Sequence, residues 1–326
     1  MDWLTITMTG ALANAVALAL AAENRSDESV PPSETWSAET GGEAEGTVDL
    51  VQGQIEKFQR LTVPVTIAGQ GPFRFMVDTG SQATVIDPGL ADRLALEPAG
   101  QAVLIGVASS KAVQTVHLDD IALGSRTFGG LRAPLLESRN IGADGILGID
   151  SLQDQRVLFD FRRNRLEIDD AKTLGGKRGF EIVVRARREL GQLIIADAQL
   201  DGVRTAVIVD TGSQTSLGNS ALREAMKRNA RGAITVSDIH GATIDGKVGF
   251  ARKLVMGRGE LQNVAIAFAD ARTFEHLDLS ETPALILGME HLRLFDRVAI
   301  DFAQSRVLFD VPSRSIGPAM RKRFRW

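Results

Sequence analysis

The sequence predicts a mostly β protein built from two copies of a duplicated module. Four observations carry that prediction. The hexapeptide Val-Asp-Thr-Gly-Ser-Gln occurs twice, at residues 77–82 and 209–214. Each copy ends an apolar run, 73–77 and 205–209, of the length and composition of a buried strand. Each aspartate is followed, 70 and 78 residues later, by a glycine that closes an apolar pair: Gly148 after Ile146 and Leu147, Gly288 after Ile286 and Leu287. A pair of short β runs then follows in both copies, at 156–169 and 297–311. Self-similarity on this scale marks a repeated structural unit.

Taken in order, residues 3–22 form an apolar stretch with overlapping Ala-x-Ala triplets, the last at 19–21. Residues 1–22 therefore read as a secretory signal peptide or a membrane anchor, since twenty residues just suffice to span a bilayer. Asp2 and the lack of Lys or Arg before the stretch leave its orientation poorly specified. Residues 23–48 are rich in Glu, Ser, Pro, Thr and Gly, a composition that cannot bury enough apolar surface to order itself, and read as a disordered acidic spacer.

The first module spans 49–172. It opens with a period-two run at 60–69 that turns at Gln70, Gly71 and Pro72 into the strand leading to Asp78. Asp87 followed by Pro88 is a helix start signal for a short helix. Residues 102–124 read as two β runs joined by a small polar tip, a candidate flap carrying Ala108, Ser109 and Ser110. A spacer at 169–179, with Gly175 and Gly176, leads to the second module, 173–312. There the plan repeats: a β run at 192–200, an Asp201-Gly202 turn, and the strand leading to Asp210. Asn219 caps a longer helix over 220–230, and residues 234–257 form a second candidate flap, with Gly241 and an Asp245-Gly246 turn signal. The tail, 313–326, carries five basic residues with Phe324 and Trp326. It reads as a solvated end, the alternative being contact with an acidic surface.

Composition narrows the chemistry. With 326 residues, 44% apolar and 24% charged, the chain has the make-up of a soluble protein of about two domains. The absence of cysteine excludes disulfides, thiolate metal sites and cysteine nucleophiles. A net charge of −4 gives no reason to expect a nucleic-acid partner. His117, His240, His276 and His291 lie singly, without metal-ligand spacing, so no metal or cofactor is expected. Glu137, Asp144 and Asp150 read as solvated or capping charges.

At the two Asp-Thr-Gly turns and the two apolar-apolar-glycine elements the chain resembles the aspartic peptidases. It is most similar to the small retropepsin-like unit of bacterial aspartyl proteases, here in tandem over roughly residues 49–312. The resemblance implies a bilobal aspartic-protease fold of two retropepsin-like modules and an aspartic endopeptidase activity. Asp78 and Asp210 would face each other across the pseudo-twofold and activate a water between two carboxylates that share one proton. Thr79 and Thr211 would hydrogen-bond across the two loops, and Gly148 and Gly288 would pack behind them. Gly80 and Gly212 supply backbone freedom for the turns. Ser81 and Ser213 would donate hydroxyl hydrogens to the outer carboxylate oxygens, favouring the ionised form and an optimum on the acid side of neutrality. No tyrosine occurs, so the flap tyrosine of pepsin-like enzymes has no counterpart. The implied partner is a protein or peptide bound in extended form, cut by a monomer with an intrachain pseudo-dimer; the apolar stretch at 3–22 adds the expectation that it is exported and periplasmic, or anchored with its catalytic part outside the cytoplasm. Two other readings stand beside this one: a non-catalytic peptide-binding or scaffold protein that keeps the fold, and an enzyme whose acidic spacer must first be removed.

Overall fold

A computed structural model of the chain describes residues 4–7, 50–52, 54–55, 61–124, 126–153, 155–170, 180–227, 232–312 and 324–325. The expected acidic spacer, the link at 171–179 and most of the basic tail lie outside these residues. So does the apolar stretch, except Leu4–Thr7, a strand that runs parallel to the flap residues 102–105. Among the described residues no helix is long and apolar enough to cross a membrane.

The protein is mostly β, 54% strand and 12% helix, in two repeated domains. The strand Gln70–Val77 pairs in parallel with Gly145–Leu147 in the first module, and Val203–Val209 pairs in parallel with Ala284–Leu287 in the second. Both Asp-bearing strands are central in their sheets, and both partner strands are buried on every residue. A strand buried on both faces must be apolar throughout, which is why Ile146-Leu147 and Ile286-Leu287 read as continuous apolar runs.

Between the lobes lies a six-stranded sheet to which both modules contribute. Its centre is the antiparallel pair Gln155–Asp160 and Arg297–Asp301, in which Arg156 stands opposite Asp301 and Asp160 opposite Arg297. The hairpins read from sequence at 156–169 and 297–311 are therefore one shared sheet, bonded edge to edge across the pseudo-twofold.

The modules differ beyond the flap turn, where the second runs its flap return strand into a long hairpin, Thr243–Met256 against Gly259–Phe268. In the first module the equivalent chain breaks into two hairpins, Ser110–Leu118 with Leu131–Pro134 and Ile121–Leu123 with Arg126–Phe128. The break falls at Asp119-Asp120 and Gly129-Gly130, where Asp120 and Gly130 both have positive φ. The first flap thereby joins a separate four-stranded sheet, whereas the second stays in its nine-stranded body sheet.

Several local expectations shift. The first hairpin turns at Ala68-Gly69, both with positive φ, and Gln70 already lies in the next strand. Asp201 and Gly202 do form the expected tight turn, with φ of 50° and 87°. Asp87 caps its helix, Pro88–Arg93, by accepting from the Leu90 amide. Asn219 caps Ser220–Ala225 by accepting from Leu222 N–H at 2.9 Å. That helix is shorter than the sequence suggested, because Lys227 takes a positive φ that ends the turn.

Candidate active site

The site is built where the two Asp strands end. The backbone N–H of Asp78 donates to the Leu147 carbonyl at 3.0 Å, and that of Asp210 to the Leu287 carbonyl at 3.1 Å. These bonds extend each parallel pair by one residue. The chain then turns away with the carboxyl at the sheet end.

The two turns hold each other. Thr79 N–H donates to Thr211 Oγ1 at 3.0 Å and Thr211 N–H to Thr79 Oγ1 at 3.2 Å. Each hydroxyl in turn donates to the strand of the opposite module, Thr79 to the Val209 carbonyl at 3.0 Å and Thr211 to the Val77 carbonyl at 2.8 Å. All of these groups are buried, where an unmet donor costs about 1–3 kcal/mol, so the pairing fixes one loop against the other.

Gly80 N–H donates to Asp78 Oδ1 at 2.8 Å, and Gly212 N–H donates to Asp210 Oδ1 at 2.8 Å. Ser213 N–H adds a second bond to Asp210 Oδ1 at 3.0 Å. Gly212 also faces the other carboxyl: a methyl group on its α-carbon would stand 2.2 Å from Asp78 Cγ. Both carboxyl groups thus bear on one residue, Asp210 through its N–H and Asp78 against its α-carbon. Both aspartates are 0% exposed.

This geometry corrects the role given to Gly212 from sequence. Neither Gly80 nor Gly212 adopts a positive φ. Gly212 is needed for close approach rather than for turn freedom. Likewise Gly148 and Gly288 leave room for backbone: a methyl would lie 2.3 Å from the Ala83 carbonyl carbon in one module and 2.8 Å from the Thr215 oxygen in the other.

The serines are also corrected. Ser81 Oγ donates to the Ala83 carbonyl at 2.7 Å and Ser213 Oγ to the Thr215 carbonyl at 2.8 Å. A hydroxyl has one hydrogen to give, and here it closes the loop on itself instead of reaching the carboxylate. The expectation of an acid-shifted optimum from these hydroxyls loses its basis.

Behind the loops lie residues that the sequence reading missed. In the first module Thr84 Oγ1 accepts from Gly148 N–H and donates to Asp150 Oδ1 at 2.7 Å, while Thr84 N–H also reaches the Asp150 carboxyl. Asp150 is thus a buttress, not a solvated charge, and burial raises its pKa above the ordinary carboxylate value against the pull of those hydrogen bonds. In the second module Ser216 Oγ accepts from Gly288 N–H, and its partner is the buried His291, with Nδ1 at 2.7 Å. Asp144 accepts from Arg74 N–H at 2.8 Å, and Glu137 precedes a short helix without capping it through its side chain. Gln82, which had no role from sequence, donates to the Leu190 carbonyl at 3.0 Å, and Gln192 donates to the Gly80 carbonyl at 2.8 Å. A hairpin tip of the second module therefore braces the first loop.

The flap turns hold Ala108, Ser109 and Gly241, but not the Asp245-Gly246 turn signal. Gly106 N–H donates to the Ser109 carbonyl at 2.8 Å, so the first turn is 106–109; Ala108 and Ser109 lie in it and Ser110 begins the return strand. The second turn is 238–241, closed by Gly241 N–H to the Asp238 carbonyl at 3.0 Å. Asp245 and Gly246 are not a turn but mid-strand residues opposite Thr235 and Ile234. Gly246 is there because a side chain would meet the Phe268 carbonyl oxygen at 2.7 Å, the close-approach use of a strand glycine.

A family model described as aspartyl protease matches the chain twice, over residues 63–151 and 196–291, together more than half of its length. The chain belongs to the aspartyl protease family. The two matches each contain one Asp-Thr-Gly turn and the apolar-apolar-glycine element behind it, so the duplication is a tandem of two family modules. Membership supports a hydrolytic, protease-type function. Among the described residues no group of three or more His, Asp or Glu is placed to hold a metal ion.

Proposed function

We propose that the protein is an aspartic endopeptidase in which Asp78 and Asp210 together activate a water for attack on a peptide carbonyl. The observation that carries this reading is the convergence of both carboxyls, from separate modules, on Gly212. Two carboxyl groups held that close and away from solvent cannot both be ionised at little cost, so the pair keeps one proton between them. The ionised partner takes a proton from water as it attacks, and the protonated partner donates to the carbonyl oxygen. Collapse of the tetrahedral species returns a proton to the leaving amine. Because the titration belongs to the pair, neither Asp is assigned as acid or base.

Thr79 and Thr211 act by position, holding the two loops in register. The substrate is a polypeptide in extended form, lying between the dyad and the flaps and adding main-chain bonds to the flap strands. One chain supplies both halves of the site, so the working unit is a monomer. The apolar stretch at 3–22, read as a signal peptide or anchor, supports a location outside the cytoplasm, released or anchored. The test is cleavage of a denatured protein mixture, read by mass spectrometry of the new termini, by the wild-type protein and by Asp78→Asn and Asp210→Asn. New termini with wild type alone support the reading; equal cleavage by an Asn variant excludes the dyad.

A further inference from the structure

The two flap tips exchange apolar residues across the pseudo-twofold. Val107, fully buried, joins an apolar cluster of the second module that includes Ile208, Leu217 and Ile286, and its carbonyl accepts from Arg272 N–H at 3.0 Å. Ile239, 132 residues further on, joins a cluster of the first module that includes Met76, Val85 and Ile146. The interval is the one that separates Thr79 from Thr211, so these are twofold-related knobs. With both seated, Asp78 and Asp210 have no exposure. A peptide cannot reach them without a rearrangement of the surrounding chain, and the tips are segments that cross the pseudo-twofold.

The residues flanking the knobs are not symmetric. Gly106 stands where the other flap has Asp238, and a methyl at Gly106 would lie 2.7 Å from Asp238 Oδ2. Asp238 thus fills the space that the first flap leaves open. Its Oδ1 accepts from His240 N–H and Ala242 N–H, both at 2.9 Å. Its Oδ2 lies 2.6 Å from Ser109 Oγ, which is also 2.7 Å from His240 Nδ1. With Asp238 ionised, the single hydroxyl hydrogen of Ser109 goes to Oδ2, and His240 must carry its proton on Nδ1 and donate it to Oγ. His240 Nε2 is buried with no hydrogen-bond partner.

We infer that Ser109, Asp238 and His240 form a latch between the two flaps that neutral His240 keeps shut and protonation of His240 releases. A second proton would go on Nε2, creating a buried N–H without an acceptor on a side chain only 5% exposed. The charged groups that act on the ring are Asp238 on its own flap, which favours the imidazolium, and Lys111 on the other flap, which opposes it. Burial outweighs Asp238 and holds the His240 pKa below its ordinary 6.5. The sign follows. When the flaps part, the ring meets water and its pKa rises, so the closed form is favoured above the ordinary histidine range and loses ground as pH falls through it. A one-proton switch of this kind changes the closed-to-open ratio by at most about tenfold per pH unit.

The role of the latch in admitting substrate rests on the peptidase reading above, but the latch itself is measured without catalysis. The chain has no cysteine, so Ser110→Cys and Thr243→Cys, both at exposed flap positions, take spin labels at those two sites alone. In an Asp78→Asn background, pulsed electron spin resonance distances are recorded from pH 8 to pH 4.5. The expected result is one short distance at pH 8 and an open-to-closed ratio that grows by up to about fivefold from pH 6.5 to 5.5, with Ser109→Ala open across the range and His240→Gln flat with pH. A wild-type distribution that does not change with pH, or a His240→Gln variant that changes as wild type does, overturns the latch. A pH-dependent latch in a protein whose wild type cleaves nothing would remove the peptidase reading and leave the latch. Cleavage with a pH-invariant distance would do the reverse.

Discussion

The two Asp-Thr-Gly loops and the two flap tips are related by the same pseudo-twofold, yet one pair is alike and the other is not. At the loops, every threonine bond has its mirror: each hydroxyl accepts from one N–H and donates to one strand carbonyl of the opposite half. At the tips, glycine faces aspartate and serine bridges to histidine, with no counterpart the other way round. A shared reaction centre needs two matching groups, and change on one side is felt by both. A contact between flaps needs only to fit, so duplication frees one copy to become the socket and the other the plug.

The sharpest way to break this comparison is at the centre. Asp78→Asn and Asp210→Asn should each lower cleavage by at least about a thousandfold, within the range for loss of a general acid or base. Equal losses, measured as kcat/KM on a single peptide found among the cleavage products, would show that the halves are equivalent in the reaction. A variant that retained a tenth of the activity would end that equivalence.

The shared sheet offers a second contrast. Arg156 and Asp301 pair at 2.6 Å with side chains 2% and 0% exposed, whereas Arg297, at the twofold-related end of the same strand pair, bonds Asp310 at 2.7 Å in a partly buried position. Removing one member of a buried pair leaves a charge without its compensation, which costs about 3–5 kcal/mol. Arg156→Met should therefore lower the urea unfolding free energy by about that amount. Arg297→Met should cost less, between about 1 kcal/mol for exposed pairs and about 3 kcal/mol for buried ones, because its side chain and that of Asp310 are 25% and 20% exposed. Similar costs for both would mean that burial does not separate the two ends.

The threonine grip predicts an intermediate effect. Thr79→Val keeps the shape but removes the oxygen that accepts from Thr211 N–H and donates to the Val209 carbonyl. Two buried groups lose their partner, at about 1–3 kcal/mol each before relaxation. Thr211→Val should match it, and the double variant should cost less than both together, because the same loops are released once. Strict additivity in urea unfolding would show that the two halves of the grip act independently.

What could be read from sequence was what repeats. Six identical residues twice, and an apolar pair with glycine behind each, specify two strands ending in a turn and two strands beside them. What could not be read was any choice among partners. A serine after Asp-Thr-Gly has both a carboxylate and a carbonyl within reach, and the chain does not say that Ser81 takes the carbonyl of Ala83. Gly246 follows an aspartate, as turn glycines do, but its neighbour across space is the Phe268 carbonyl, 22 residues away in sequence. Ser109, Asp238 and His240 are unremarkable singly. A faint signal existed, since setting the modules in the register of their Asp-Thr-Gly turns places Asp238 opposite Gly106.

The smallest expected effect lies behind the loops, where the first module uses a carboxylate and the second a histidine to hold the equivalent hydroxyl. Asp150 has its folded-state pKa raised above the ordinary 3.8 by burial. The folded protein therefore favours the protonated form relative to the unfolded chain. The stability this contributes is fully present below the ordinary carboxylate range and is lost as pH rises through the raised folded value. The loss is limited because Thr84 N–H, Thr84 Oγ1 and Ser151 N–H all donate to the ionised carboxyl. Asp150→Asn cannot ionise, and its amide turns a donor toward one of those three donors, so it should be less stable than wild type at every pH. Its unfolding free energy should nevertheless fall less steeply than that of wild type between pH 4 and pH 6. If the two slopes agree, the hydrogen bonds from Thr84 and Ser151 outweigh burial, and the first buttress is as insensitive to pH as a neutral residue.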